Sequence, residues 1–134
     1  MDLLVKEVLD SYPENIRRKL MLIRQMIFEI AQEQLLDTPI ETLKWGEPSY
    51  LTKKGSTVRL AFNAKQPLQY GVYFNCRTSL IETFKELYPS DFHYMTNRAI
   101  IFQVSQHIPI SPLRHCLSLS LRYHSIKHLP LLGV

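Results

Sequence analysis

Thr57-Val58-Arg59-Leu60-Ala61-Phe62-Asn63 and, beyond the turn Ala64-Lys65-Gln66-Pro67, Gln69-Tyr70-Gly71-Val72-Tyr73-Phe74-Asn75 are the two runs that decide the fold. Val58, Leu60 and Phe62 in the first, and Tyr70, Val72 and Phe74 in the second, are apolar at every second position. A period of two places them on one face of a pleated strand. Short turns bound the runs: Lys53-Lys54-Gly55-Ser56 supplies a glycine, and Pro67 stands where a following strand must start. Turns this short join antiparallel neighbours. Ile100, Phe102 and Val104 repeat the pattern later in the chain. The three sets form the expected core face. The positions between them, Arg59 and Ala61, Tyr73 and Asn75, His93 and Met95, Ile101 and Gln103, make a second face of donors, one ring and apolar patches. That mixture suits a small-ligand pocket as well as a half-solvated sheet face.

Working outward, Thr42 to Leu51 reads as one further strand interrupted at Gly46 and Pro48, and Phe92 to Thr96 with Ala99 to Val104 as two more. Upstream, a short helix spans Leu3 to Asp10. Ser11-Tyr12-Pro13-Glu14 has capping-box spacing for a second helix, along which Ile16, Leu20, Ile23, Ile27 and Ile30 recur on one face. Ser79-x-x-Glu82 opens a third helix, with Ile81, Phe84, Leu87 and Tyr88 as its apolar side before Pro89. Ser111 and Pro112 open the last, which carries Leu113, Leu117 and Leu121 towards Ile126. The expected fold is therefore α+β: an antiparallel five-stranded sheet packed by helices, in the order ααβββαββα. Neither a repeat nor a linker divides residues 1–134, so one domain is expected.

The chain has 134 residues, 46% hydrophobic and 21% charged, with 4 Gly, 8 Pro and 2 Cys, which excludes disordered and fibrous classes. It is long enough to bury a core without disulfides or a structural metal. Apolar runs such as Leu20 to Ile23 fall far short of the about 20 residues that a membrane helix needs. Asp2, Lys6 and Glu7 spoil any secretory leader, so a cytoplasmic protein with no membrane partner is expected. Cys76 and Cys116 lack Cys-x-x-Cys spacing and read as reduced, mostly buried thiols. The net charge of +4 is unevenly placed. All 12 acids lie between Asp2 and Asp91, whereas Arg98, Arg114, Arg122, Lys127 and all 5 histidines lie from His93 onward. Such a surface gains charge as pH falls through about 6.5 and favours anionic partners.

Lys44-Trp45-Gly46-Glu47-Pro48-Ser49-Tyr50 is the densest local constellation, holding the only Trp beside a Gly and a Pro. Gly46 lets the backbone approach closely, Pro48 removes a ladder donor, and Trp45 and Tyr50 bring rings with polar tips. Lys44 and Glu47 suit the polar rim of a cleft walled by those rings. With Arg59, Tyr73 and His93 from the open face they form the candidate ligand site. The alternative is a strand irregularity pinned by packed aromatics. This segment, after a two-helix start and before a meander, resembles the YdhG-like family, domain of unknown function 1801, over roughly Leu3 to Ile126. That mainly bacterial family has an α+β layout, and some members are described as frataxin-like iron chaperones. The resemblance implies an intracellular iron-carrier role. Frataxin-type surfaces use clustered carboxylates, and here the last third has none.

Glu29 and Glu33, four apart on the second helix with Asp37 beyond its end, are the carboxylates suited to a hard cation such as iron. A solvated helix face is their plainer reading. His124 and His128 stand at i and i+4 but have no evident third ligand for zinc. Motifs for dinucleotides, phosphate loops and nucleophile elbows are absent. Arg114 and Arg122 with Ser118 give a sparse basic stripe, too few charges for a nucleic-acid expectation. The sequence leads to a binding or carrier module rather than an enzyme: an iron carrier first, and otherwise a site for a small organic ligand or anion at Lys44 to Tyr50 and the open face. Leu129-Pro130-Leu131-Leu132 is a tail that would pack on a second subunit, giving a homo-oligomer, or on its own core.

Overall fold

A computed structural model describes all residues from Met1 to Val134. Helices α1 (Leu3–Asp10) and α2 (Glu14–Glu33) precede strands β1 (Ile40–Lys44), β2 (Glu47–Leu51), β3 (Val58–Ala61) and β4 (Gln69–Phe74). Then come α3 (Leu80–Leu87), β5 (His93–Met95), β6 (Ala99–Gln103), α4 (Ile110–Leu121), the short α5 (Tyr123–Ile126) and a terminal 3₁₀ turn (Pro130–Gly133). All strand pairs are antiparallel, in the spatial order β1-β2-β3-β4-β6-β5. The α+β class holds, but the sheet has six strands rather than five.

The extra strand arises because Thr42 to Leu51, expected as one interrupted strand, folds into two paired ones. Trp45 and Gly46 both take positive φ, 56° and 74°, and Lys44 pairs with Glu47 across them. That is a two-residue hairpin with the left-handed backbone of a type I′ turn. Trp-Gly hides it, because the usual first residue of such a turn is Asn, Asp or Gly. Pro48 lies where the β2–β3 ladder stops: only Ser49 to Arg59 and Tyr50 to Val58 are paired. The final helix also differs, since it breaks at Arg122 into α4 and α5.

Every helix lies against one face of the sheet. Val5 and Leu9 of α1, Ile16, Leu20, Ile23, Ile27 and Ile30 of α2, Phe84 of α3 and Leu113 and Leu117 of α4 join Val58, Leu60, Tyr70, Val72, Ile100 and Phe102 in one core. Phe62 and Val104 pack on its margin. The cap expectations were less accurate. Ser11 closes α1, its hydroxyl donating to the Val8 carbonyl, and Pro13 rather than Ser11 caps α2. Ser79 caps α3 without a side-chain bond, and α4 starts at Ile110. No helix is long and apolar enough to cross a membrane. Leu132 of the tail is buried in the chain's own core, while Leu129 and Leu131 are exposed.

Candidate functional site

Strand pairing sets the bare face in rows. Thr42, Ser49, Arg59, Tyr73, Ala99 and Met95 follow one another across the sheet. Gly71, Ile101 and His93 form the adjacent row. Past Pro48 the β1–β2 hairpin is no longer paired with β3, and Lys44 and Trp45 at its tip line a depression together with Arg59 and Tyr73. Glu47 is ion-paired with Arg59, and the Lys44 ammonium donates to the Thr57 hydroxyl at 3.3 Å. The Arg59 guanidinium lies 4.7 Å from the centre of the Tyr73 ring, a cation–π contact that holds both side chains.

Arg59 and Tyr73 form a ridge between two shallow depressions. One, about 200 Å³, lies over Gly71 with Glu47, Gln69 and Ile101 around it. Gly71 matters there because a Cβ would stand 3.0 Å from the Tyr73 ring and 3.1 Å from Ile101. The other, about 210 Å³, has Lys44, Trp45, Thr57 and Asn75 around it. Trp45 is 89% exposed, held at the hairpin tip in a left-handed backbone conformation that costs a bulky residue about 1 kcal/mol.

Electrostatically the second depression is cationic. Lys44 has no carboxylate partner, and of the two cations that line this depression only Arg59 is in an ion pair, with Glu47. Burial raises the Glu47 carboxyl above its ordinary value, and Arg59 only partly offsets this. Glu47 therefore takes up a proton more readily than an exposed glutamate, and protonation loosens its hold on Arg59.

Of the sequence-predicted ligand residues, the structure brings together Lys44, Trp45, Glu47, Arg59 and Tyr73. His93 shares the bare face but is exposed on the edge strand β5, outside both depressions. Tyr50 is on the other face, fully buried, with its hydroxyl donating to Glu41 at 2.9 Å. The hairpin explains this, because Tyr50 is one residue out of step with Glu47 and Ser49, and alternate strand residues point opposite ways. Thr57, Gln69 and Gly71 were missed as lining groups. Gly71 carried the only signal, a glycine inside an apolar strand run.

The candidate metal residues are differently engaged. The Arg114 guanidinium of α4 donates to Glu29 at 3.0 Å and to both Glu33 oxygens at 2.8 and 2.9 Å. Asp37 accepts from the Lys53 amide at 3.1 and 3.2 Å. A guanidinium between two carboxylates repels a cation, so the pair does not fit a metal as it stands, and no three His, Cys, Asp or Glu side chains converge elsewhere. The same contacts absorb Arg114 of the basic stripe, while Arg122 donates to the Ser118 hydroxyl at 3.1 Å. α5 ends at Ile126, so His124 and His128 do not share a helix. Cys116 is buried, and burial raises its thiol pKa; Cys76 is exposed, contrary to its expectation. His115 packs against the Tyr88 hydroxyl at 2.5 Å, and burial, aided by Arg122, lowers its pKa. The chain matches no family model, no curated protein and no solved structure.

Proposed function

We propose that this chain is a binding module for a small organic anion with a planar ring, seated in the cleft bounded by Lys44, Trp45, Arg59 and Tyr73. One observation carries the reading: an unpaired lysine and a ring-stacked arginine flank the same depression as an exposed tryptophan and a tyrosine. Cations at the rim select negative charge and the rings select a flat apolar body. Arg59 is held against the Tyr73 ring before any ligand arrives, which reduces the ordering cost of binding, while its ion pair with Glu47 competes with an anion for the guanidinium. Iron carriage, the role implied by the family resemblance, has Glu29 and Glu33 as candidate ligands, and Arg114 occupies both.

Trp45 is the chain's only tryptophan, so its fluorescence reports on the cleft alone. Titration with benzoate is expected to give a saturable change that neutral benzamide matches only at much higher concentration. Lys44→Ala and Arg59→Ala should each weaken benzoate by about tenfold, the loss of one charge-assisted contact. Glu47→Gln should tighten it by freeing Arg59. A linear, unsaturable response, or variants that bind like the parent, overturns the reading.

A further inference from the structure

Thr57 and Asn75, which close one side of the proposed cleft, also line a further cavity of about 390 Å³ at the β2–β3 turn, so the two cavities adjoin. Lys53 and His124 stand on the wall of this cavity, with Ile40 and Leu51 as its apolar part. Neither Lys53 nor His124 is in an ion pair. The nearby acid, Asp37, accepts from the Lys53 backbone amide instead of its ammonium.

This exposed, lysine-bearing turn is held by buried polar contacts. The Thr52 hydroxyl donates to the Leu121 carbonyl at 2.7 Å, the Ser56 amide to the Ser120 carbonyl at 2.8 Å, and the Ser120 hydroxyl to the Ser56 carbonyl at 3.0 Å. On the other side the His124 amide donates to the Lys54 carbonyl at 2.7 Å, tying the start of α5 to the turn. Thr52 and Ser120 are 2% and 0% exposed, so these bonds are shielded from water. The backbones that carry Lys53 and His124 are thereby fixed relative to each other. Preorganisation of this kind reduces what binding must spend on ordering.

We infer that Lys53 and His124 form a second anion subsite, and that the two adjoining cavities together take an elongated ligand with a planar body and an anionic group at each end. The inference rests on the proposed cleft and names the far half of its ligand. Benzoate and terephthalate test it, since they share a ring and differ by one carboxylate. In the full chain, terephthalate should quench Trp45 at about tenfold lower concentration than benzoate, the worth of one further charge-assisted contact. In the double variant Lys53→Ala plus His124→Gln the two ligands should become equal, with benzoate unchanged. Inorganic phosphate should also shift the backbone amide resonances of Lys53 to Thr57 and the ring of His124. Benzoate binding with no terephthalate preference, or a preference that survives the double variant, overturns the subsite alone, as do resonances that phosphate leaves in place. Absence of benzoate binding overturns the cleft and the two-headed ligand together.

Discussion

Trp45 concentrates the conflict between stability and use. A type I′ turn wants Asn before Gly, whereas this one carries a large ring at φ 56° with almost nothing packed against it. Trp45→Asn should therefore raise stability by about 1 kcal/mol, a few degrees in melting midpoint, while abolishing benzoate binding measured by calorimetry. A lowered midpoint would mean that the ring holds the hairpin in place. Tyr70 shows a different tension. It stacks on Phe102 at 5.3 Å and is buried, yet its hydroxyl has no partner, and burial pushes its pKa up. An orphan buried hydroxyl costs about 1 to 3 kcal/mol. Tyr70→Phe should melt at the parent's temperature or above it. Neither feature was legible beforehand, because the alternation that put Tyr70 on the core face says nothing of where its oxygen ends, and Trp-Gly does not announce a turn.

Among elements, the ends of α2 and α4 show how local signals and distant contacts divide the work. After α2 the Leu36 amide donates to the Ala31 carbonyl at 2.8 Å and the Leu35 amide to Gln32 at 3.2 Å, a Schellman closure. Its left-handed residue, normally glycine, is Leu35, at φ 57° and 92% exposed. Leu35→Gly is expected to stabilise by about 1 kcal/mol, read as a higher urea midpoint at unchanged slope. Gly55→Ala should do the reverse by about 1 to 3 kcal/mol, since its Cβ would lie 2.3 Å from the Thr52 hydroxyl and 2.7 Å from the Leu121 carbonyl. The helix stops at Leu121 for the same reason. Its last carbonyls accept from Ser56 and Thr52, and the His124 amide turns to Lys54. Apolar spacing located α2 and the central strands, whereas the break in the last helix depends on a loop about seventy residues away, which no periodicity encodes.

At the scale of the whole molecule, Glu41 joins the elements on the helical side. It accepts from Arg24 of α2 at 2.5 and 3.2 Å, from the Asp2 amide ahead of α1 at 2.9 Å and from Tyr50 of β2 at 2.9 Å. Burial alone would raise its pKa, but Arg24, the Asp2 amide and Tyr50 outweigh that and hold it below the ordinary 4.5. A carboxylate depressed on folding stabilises above its unfolded pKa, and that contribution is lost as pH falls through the folded one. Glu41→Gln should cost about 2 kcal/mol at pH 7. Melting curves of the two proteins should converge as pH drops below about 4.5; a gap of constant size would refute the linkage. The α+β class and the division of the sheet into core and bare faces were legible from strand alternation. The ligand set was legible only in part, because Lys44 and Glu47 meet Thr57 and Arg59 through a hairpin whose turn was hidden. The bare face has a further consequence for descent. On β3 and β4, neighbouring residues serve opposite masters: Leu60 and Val72 maintain the fold, while Arg59 and Tyr73 face outward. Outward positions can then vary in lineages or in a randomised library without disturbing the interior, so one backbone can acquire new specificities while its heritable core stays the same.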